Sequence, residues 1–148
     1  MIDWNDRFMD MAMLMSTWSK DPSTQTGAVI VGEGKVILST GYNGLPRGVH
    51  EDESRDTRPT KYSFYEHAER NAIYNACRMG VSCVGATMYA THPPCPDCAR
   101  AIIQSGITKV YTQALNEDNP PTGTWRDSLT SSQSMLRESG VELLYLSR

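Results

Sequence analysis

Two short segments of the chain carry residues that can bind a metal ion and move protons. The first is His-Ala-Glu at residues 67–69, and the second is PPCPDC, which contains Cys95 and Cys98. Histidine nitrogen and cysteine thiolate are common zinc ligands, and a helix that begins at Pro96 would point both sulfurs the same way. We therefore predict that His67, Cys95 and Cys98 bind one zinc ion.

Glu69 is expected to have a different task, close to the metal but not bound to it. Three protein ligands leave a fourth position of zinc free for water, as in catalytic sites. Zinc lowers the pKa of such a water to about 7, and Glu69 is the predicted carrier of its proton. A C-x-x-C pair alone also occurs in structural zinc sites and redox pairs. In the order H-x-E, then P-C-x-x-C with Pro94 before the first cysteine, these residues are typical of zinc nucleobase deaminases.

The other cysteines and histidines are weaker metal candidates. Cys77 and Cys83 are expected to be core thiols, with a second zinc site that includes His50 or His92 as the alternative. His92 is expected to line the pocket or to pack. The methionines at positions 9, 11, 13 and 15 are expected to fill the core, with a subunit interface as the alternative.

The N-terminal elements are predicted from their apolar spacing. Trp4, Phe8, Met11, Met15 and Trp18 recur at three- and four-residue steps, which indicates an amphipathic helix.

A β-hairpin and a long loop are predicted next. The hairpin has strands at 28–31 and 35–40 around a Gly-Glu-Gly turn. The polar stretch 41–62 reads as a long loop, and loops of that length are usually functional or mobile.

The second half of the chain alternates between helices and strands. This alternation predicts right-handed crossovers and parallel pairing. We expect a mixed sheet of about five strands, hairpin first and parallel later, with helices on its faces. The expected helices are 67–79, 96–104 and 126–138, the strands are 86–90, 109–112 and 141–146, and a loop covers 114–125.

Composition limits the classes of protein. At 148 residues, with 39% apolar and 21% charged residues, the chain is expected to form a single globular domain over residues 1–148. A net charge of −3 without a basic run gives no electrostatic reason to expect a nucleic-acid partner. We found neither a long apolar run nor a signal-peptide pattern, so a cytoplasmic location, in bacterial or virus-infected host cytosol, is predicted. Four cysteines there are expected to be ligands or core thiols rather than disulfides.

Over residues 4–111 the chain resembles the deoxycytidylate (dCMP) deaminase family of the cytidine deaminase superfamily. The resemblance implies a three-layer α/β/α cytidine deaminase-like fold with a central mixed five-stranded sheet. It also implies zinc-dependent hydrolysis of dCMP to dUMP and ammonia, which supplies thymidylate synthesis. The segments that carry the resemblance are SKDPSTQTGAVIV, STGYNGLPRG, EHAERNAI and PPCPDCARAIIQSGITKV.

The resemblance assigns roles to individual residues. It places zinc on the three predicted ligands and makes Glu69 the proton shuttle. Asn43 is expected to contact the sugar and help hold the cytosine, Pro94 belongs to the substrate site, and the backbone N–H of Ala68 would face the base carbonyl. Independently of the resemblance, the phosphate of such a substrate needs donors, and Ser19, Lys20 and Thr24 are expected to supply them, although Lys20 could equally be a solvated surface charge.

The resemblance further implies regulation and assembly. Activation by dCTP and inhibition by dTTP would act near the loop Gly41, Tyr42, Asn43 and Gly44, and a regulatory triphosphate would bring Mg²⁺ as a further cofactor. Members of the family are commonly homohexamers, so a homo-oligomer is expected.

Two departures from the family pattern leave the preferred nucleotide open. Trp18 stands where many relatives carry Arg or Lys, and the segment Ala114–Trp125 lacks a tyrosine that many relatives have near the substrate. Trp125 itself is expected to be a pocket lid or a core residue. A deaminase of dCTP or of a modified deoxycytidine nucleotide is therefore the alternative.

Two more distant alternatives are a tRNA adenosine deaminase and a non-catalytic zinc or nucleotide-sensing module. The first shares the zinc pattern but should carry a basic surface, whereas residues 51–53 of this chain are acidic. The second is disfavoured because Glu69 is present and a structural zinc site usually recruits a fourth protein ligand.

Overall fold

A five-stranded mixed sheet in the order β2-β1-β3-β4-β5 runs through the molecule. The computed structural model describes residues 3–115 and 117–147 of the chain. The strands are β1 (Gly27–Val31), β2 (Ile37–Tyr42), β3 (Thr87–Ala90), β4 (Lys109–Gln113) and β5 (Glu142–Leu146). The helices are α1 (Trp4–Ser16), α2 (Lys61–Phe64), α3 (Ala68–Arg78), α4 (Pro96–Ser105) and α5 (Gly123–Ser139).

The pairing of the strands confirms the predicted mixed sheet. Strands β1 and β2 form the antiparallel hairpin, and β1 also pairs antiparallel with β3. Strands β3, β4 and β5 then pair in parallel, with α4 and α5 as the connections between them. Because parallel neighbours need crossover segments, the two helix starts after β3 and β4 lie at the same edge of the sheet.

The helices form a layer on each face of the sheet, as predicted. Alternation along β1 turns Val29 toward α1, in a cluster with Phe8 and Met9. Ile30 points to the opposite face, in the larger cluster that includes Ala72 of α3 and buried residues of α4 and α5. No helix among residues 3–115 and 117–147 combines the length and apolar character needed to cross a bilayer.

Two glycines allow helices to press closely on the sheet. A Cβ at Gly27 would lie 2.1 Å from the backbone oxygen of Ala12 in α1. A Cβ at Gly41 would lie 2.4 Å from the backbone nitrogen of Ala72 and 2.5 Å from the backbone oxygen of Ala68. Gly41 was predicted as part of a regulatory loop, but in the structure it is buried in β2 and sets the distance to the start of α3.

Several element boundaries differ from the predicted ones. Helix α5 begins at Gly123 rather than at residue 126, and β2 continues through Tyr42. The predicted loop 41–62 contains a 3₁₀ turn and the start of α2. Asn116, inside the predicted loop 114–125, lies outside the described residues.

Trp18 and Trp125 are both more exposed than was predicted. Helix α1 ends at Ser16, so Trp18 lies beyond it and is 59% exposed, with its ring edge-on to Tyr42. Trp125 is 47% exposed in the first turn of α5, which contradicts a core position.

Of the two cysteines predicted as core thiols, only one is buried. Cys83 is buried, but Cys77 is exposed. The buried stripe of α3 repeats every fourth residue and ends at Ala76, so Cys77 is turned about 100° away from the core. Met9 and Met15 fill the core as predicted, whereas Met13 is 40% exposed.

Candidate active site

The three predicted metal ligands meet where two helices begin. His67 is the N-cap residue of α3, Cys95 is the N-cap residue of α4, and Cys98 lies in the first turn of α4. The Nδ1 atom of His67 lies 3.4 Å from the Sγ atom of each cysteine. The three ligand atoms all lie within 4.8 Å of one another. One nitrogen and two sulfur donors are a set that fits zinc, and three of them leave room for a fourth ligand.

Ion pairs hold the two helix starts together. The guanidinium of Arg70 is paired with Glu66, just before α3, and lies 3.5 Å from Oδ2 of Asp97. Asp97 stands between Cys95 and Cys98 in the sequence. Arg70 thus links the segment that carries the histidine ligand to the segment that carries the cysteines.

The ligand side chains perturb one another's protonation. The hydrogen bond from the Cys98 thiol lowers the pKa of Cys95 to about 4, and the same bond raises the pKa of Cys98. The hydrogen bond to Cys95 also raises the pKa of His67. The pair of thiols therefore gives up its first proton readily, which suits a site that must present thiolate to a metal.

Glu69 lies beside this group in the first turn of α3. It is only 4% exposed, and it lines the cavity next to the ligands. Burial raises the pKa of the Glu69 carboxyl above its usual value. A buried carboxyl that can hold a proton at a higher pH than usual is suited to proton transfer.

A cavity of about 560 Å³ opens onto the ligands. Thr24 and Asn43, both predicted to bind substrate, contribute to its lining, and so does His92, as expected. Ala68 is fully buried, in the helical turn where backbone N–H groups have no intrahelical acceptor. Pro94 is also fully buried, behind the neighbouring prolines that do line the cavity.

The side chain of Asn43 is held by three hydrogen bonds within the protein. Its Oδ1 accepts from the backbone N–H of Thr26 at 2.8 Å. Its Nδ2 donates to the backbone oxygen of Thr24 at 2.9 Å and to Oδ2 of Asp21 at 3.2 Å. The amide is therefore fixed in orientation at the cavity wall.

The other two predicted phosphate donors lie elsewhere. Ser19 is buried, and its hydroxyl donates to the backbone oxygen of Asn43 at 2.8 Å. Lys20 is exposed, is paired with Glu51 at 2.5 Å, and lines a second cavity of about 190 Å³. The structure thus brings Thr24, but not Lys20, to the cavity of the metal ligands.

The second cavity is formed by most of the predicted regulatory loop. Tyr42, Asn43 and Gly44 line it together with Trp18. Tyr65 lines both cavities, and its hydroxyl donates to Oδ1 of Asp56 at 2.6 Å. Asn43 and Tyr65 therefore form the wall between the two.

Sequence reasoning missed several polar residues of the main cavity. These are Asp21 in the loop before β1, Arg58 and Lys61 around the start of α2, and Arg70 in α3. The basic residues of the segment DTRPTKY were the available signal, because they stand inside a loop already expected to be functional.

Comparisons with known proteins identify the class. The profile of the family described as "Cytidine and deoxycytidylate deaminase zinc-binding region" matches residues 2–114. The chain therefore belongs to this family of zinc-dependent deaminases, and the predicted resemblance and fold are confirmed.

Individual relatives agree with this assignment. The chain is 44% identical over 143 residues to an "Uncharacterized deaminase in luxG 3'region" of Aliivibrio fischeri, covering 97% of this chain and 93% of that protein. It is 36% identical over 176 residues to the deoxycytidylate deaminase of Enterobacteria phage T4, covering 91% and 86%. The crystal structure of dCMP deaminase from cyanophage S-TIM5 in complex with dCMP and dUMP matches 95% of each chain, with 32% identity and a TM-score of 0.76.

Proposed function

We propose that this protein deaminates dCMP hydrolytically to dUMP and ammonia, with one catalytic zinc per subunit. The observation that carries the proposal is the meeting of three metal-ligand atoms within 4.8 Å, beside a buried glutamate, in a cavity open to a small molecule. Relatives that are named dCMP or deoxycytidylate deaminases and that match most of both chains support the substrate.

His67, Cys95 and Cys98 would hold the zinc ion. When bound, zinc supplies Lewis acidity and makes a water molecule acidic enough to act as a nucleophile near neutral pH. The Cys95 and Cys98 thiols must lose their protons to serve as ligands, and their mutual hydrogen bond eases the loss of the first.

Glu69 carries the protons of the reaction. Its carboxylate takes a proton from the attacking water and delivers it to N3 of the cytosine ring as the water oxygen adds to C4. Glu69 then takes the proton of the new C4 hydroxyl and passes it to the 4-amino group, so that the C4–N bond breaks, ammonia leaves, and C4=O of dUMP forms. The burial of Glu69 keeps bulk water from competing for these protons.

The substrate is oriented by the cavity wall. The backbone N–H of Ala68 donates to the base carbonyl, because the first turn of α3 leaves this donor without an intrahelical acceptor. Asn43 contacts the sugar and the base edge, with its amide orientation fixed by its contacts to Asp21, Thr24 and Thr26.

We further propose the broader properties of the family for this chain. The chain forms one domain over residues 1–148, assembles as a homohexamer and is located in the cytoplasm. It is activated by dCTP and inhibited by dTTP, which bind near Tyr42, Asn43 and Gly44 together with Mg²⁺. The second cavity, which Tyr42 lines together with Trp18 and Lys20, supports the binding of a ligand there.

Ammonia release from the zinc-loaded protein tests the proposal. We would offer dCMP, dCTP, deoxycytidine and CMP separately, with and without added dCTP or dTTP, and use Glu69→Gln as the matched inactive control. Turnover of dCMP above the other substrates is expected. If a cytosine compound other than dCMP is the best substrate, or if none reacts, the substrate assignment is wrong.

A further inference from the structure

Three basic side chains line the active-site cavity, and one of them is not charge-paired. Lys61 is paired with Asp21, and Arg70 is paired with Glu66 and Asp97. Arg58 has no carboxylate within ion-pair distance in the part of the chain that the structure describes. Arg58 is therefore the one of these three cations whose charge no carboxylate of the described residues neutralises.

Two neighbouring side chains contact the guanidinium of Arg58. Its Nη1 lies 3.5 Å from Oγ of Ser23, and its guanidinium lies 5.8 Å from the centre of the Tyr62 ring. The Nζ atom of Lys61 lies 3.1 Å from the same Ser23 oxygen. Arg58 and Lys61 thus lie on the same side of the cavity. The Ser23 hydroxyl accepts from both and donates to Oδ1 of Asp21 at 3.1 Å. A guanidinium held in this position suits a phosphate group.

A buried ion pair holds this cluster in place. The side chains of Lys61 and Asp21 are 9% and 0% exposed. Asp21 also accepts from the backbone N–H of Ser23 at 2.9 Å and of Thr24 at 3.3 Å. The segment that carries Arg58 is therefore held against the loop before β1, which fixes the position of the Arg58 backbone beside the cavity.

We propose that Arg58 binds the 5′-phosphate of the nucleotide and that it sets the preference for a monophosphate over a nucleoside. This inference rests on the proposed deaminase function. Lys20 is unsuited to the role because it faces the second cavity and is already paired with Glu51. The planar guanidinium of Arg58 can instead donate two parallel hydrogen bonds to the phosphate oxygens.

Arg58→Gln tests the proposal in the zinc-loaded protein, and Arg55→Gln is the matched control. Arg55 lies in the same loop, but its guanidinium donates to the backbone oxygen of His50 and lies over Phe64, away from the cavity lining. We expect Arg58→Gln to raise the KM for dCMP about 10- to 100-fold with little change in kcat, as for a lost charge-assisted hydrogen bond. Arg58→Lys should recover part of the loss, and Arg55→Gln should behave like the wild type.

Binding of the product gives a readout that needs no turnover. Measured by calorimetry, Arg58→Gln should lower the affinity for dUMP about 10- to 100-fold and leave the affinity for deoxyuridine unchanged. Unchanged dUMP affinity in Arg58→Gln, an equal loss for deoxyuridine, or a fall in kcat at constant KM would overturn the phosphate role. A wild-type protein that binds dUMP through Arg58 but fails to release ammonia from dCMP would instead overturn the proposed reaction and leave the phosphate site standing.

Discussion

The buried ion pair between Lys61 and Asp21 should be one of the main stabilising contacts of the active-site wall, and Lys61→Met removes one side of it. Methionine keeps the long, unbranched shape of lysine but cannot neutralise the carboxylate. Asp21 would then be left fully buried, with hydrogen bonds from Ser23, Thr24 and Asn43 but no countercharge.

The size of the effect follows from the burial of both partners. Removing one member of a buried ion pair costs about 3–5 kcal/mol, far more than for a surface pair. Whole domains are stable by only about 5–15 kcal/mol, so much of the stability would be lost. At about 2–4 °C per kcal/mol for a chain of this size, the melting temperature should fall by about 6–20 °C.

A double-mutant cycle measures the interaction energy between Lys61 and Asp21 apart from the contacts that each makes with other residues. The free energy of unfolding would be measured by urea titration for the wild type, Lys61→Met, Asp21→Asn and the double variant. The double variant should be more stable than the sum of the two single losses predicts, by more than about 1 kcal/mol. A Lys61→Met loss below about 1 kcal/mol would refute the reasoning, because that value is typical of an exposed pair.

The same pair predicts how stability depends on pH. Burial alone would raise the pKa of Asp21, but hydrogen bonds from Lys61, Ser23 and Thr24 outweigh it and hold the pKa below the usual value. The stabilisation is therefore complete above about pH 5, and it is lost as the pH falls through the unfolded and then the folded pKa. The acid slope of the unfolding free energy should be shallower in Asp21→Asn than in the wild type.

Three other changes probe the site and its supports. Glu69→Gln should keep zinc, measured by atomic absorption, and lower the rate of ammonia release about 10²–10⁴-fold, so wild-type turnover would rule out its proton role. Arg70→Gln should lower the affinity for zinc about 10- to 100-fold in a chelator competition, because Arg70 links the two helix starts that carry the ligands. The control is Arg78→Gln, at the other end of α3, which should bind zinc as tightly as the wild type does. Gly41→Ala should cost about 1–3 kcal/mol in urea unfolding, whereas Gly44→Ala, where a Cβ meets open space, should cost much less; equal costs would contradict the close approach of β2 to α3.

The metal ligands could be found from the sequence because each lies at a helix start that is encoded locally. Cys95 and Cys98 flank the proline that opens α4, and His67 caps α3. The strand and helix alternation then requires these starts to lie at one edge of the sheet. Short spacings and simple periodicity were therefore sufficient for both the fold and the metal-ligand cluster.

The substrate side of the cavity could not be found in this way, because its contacts join distant parts of the chain. Ser23 and Lys61 are 38 positions apart, and nothing in their local spacing pairs them. Lys20 was predicted to be either a phosphate donor or a solvated surface charge, and the structure shows it exposed and paired with Glu51. Charge pairing is decided by tertiary structure, so the sequence could show which cations exist but not which remains unpaired.

The groups that act on the base and the residue proposed to bind the phosphate stand on different parts of the molecule. The metal ligands and Glu69 stand on two helices that pack against the sheet and against each other, and Gly41 leaves no room for the first of them to shift. Arg58, in contrast, stands on the long connection between β2 and α2, which the Lys61–Asp21 pair fixes to the loop before β1. A substitution at Arg58 therefore changes the charge that meets the substrate without moving the groups that act on the base. Preference among cytosine nucleotides can vary through this connection while the chemistry at the helix starts stays the same.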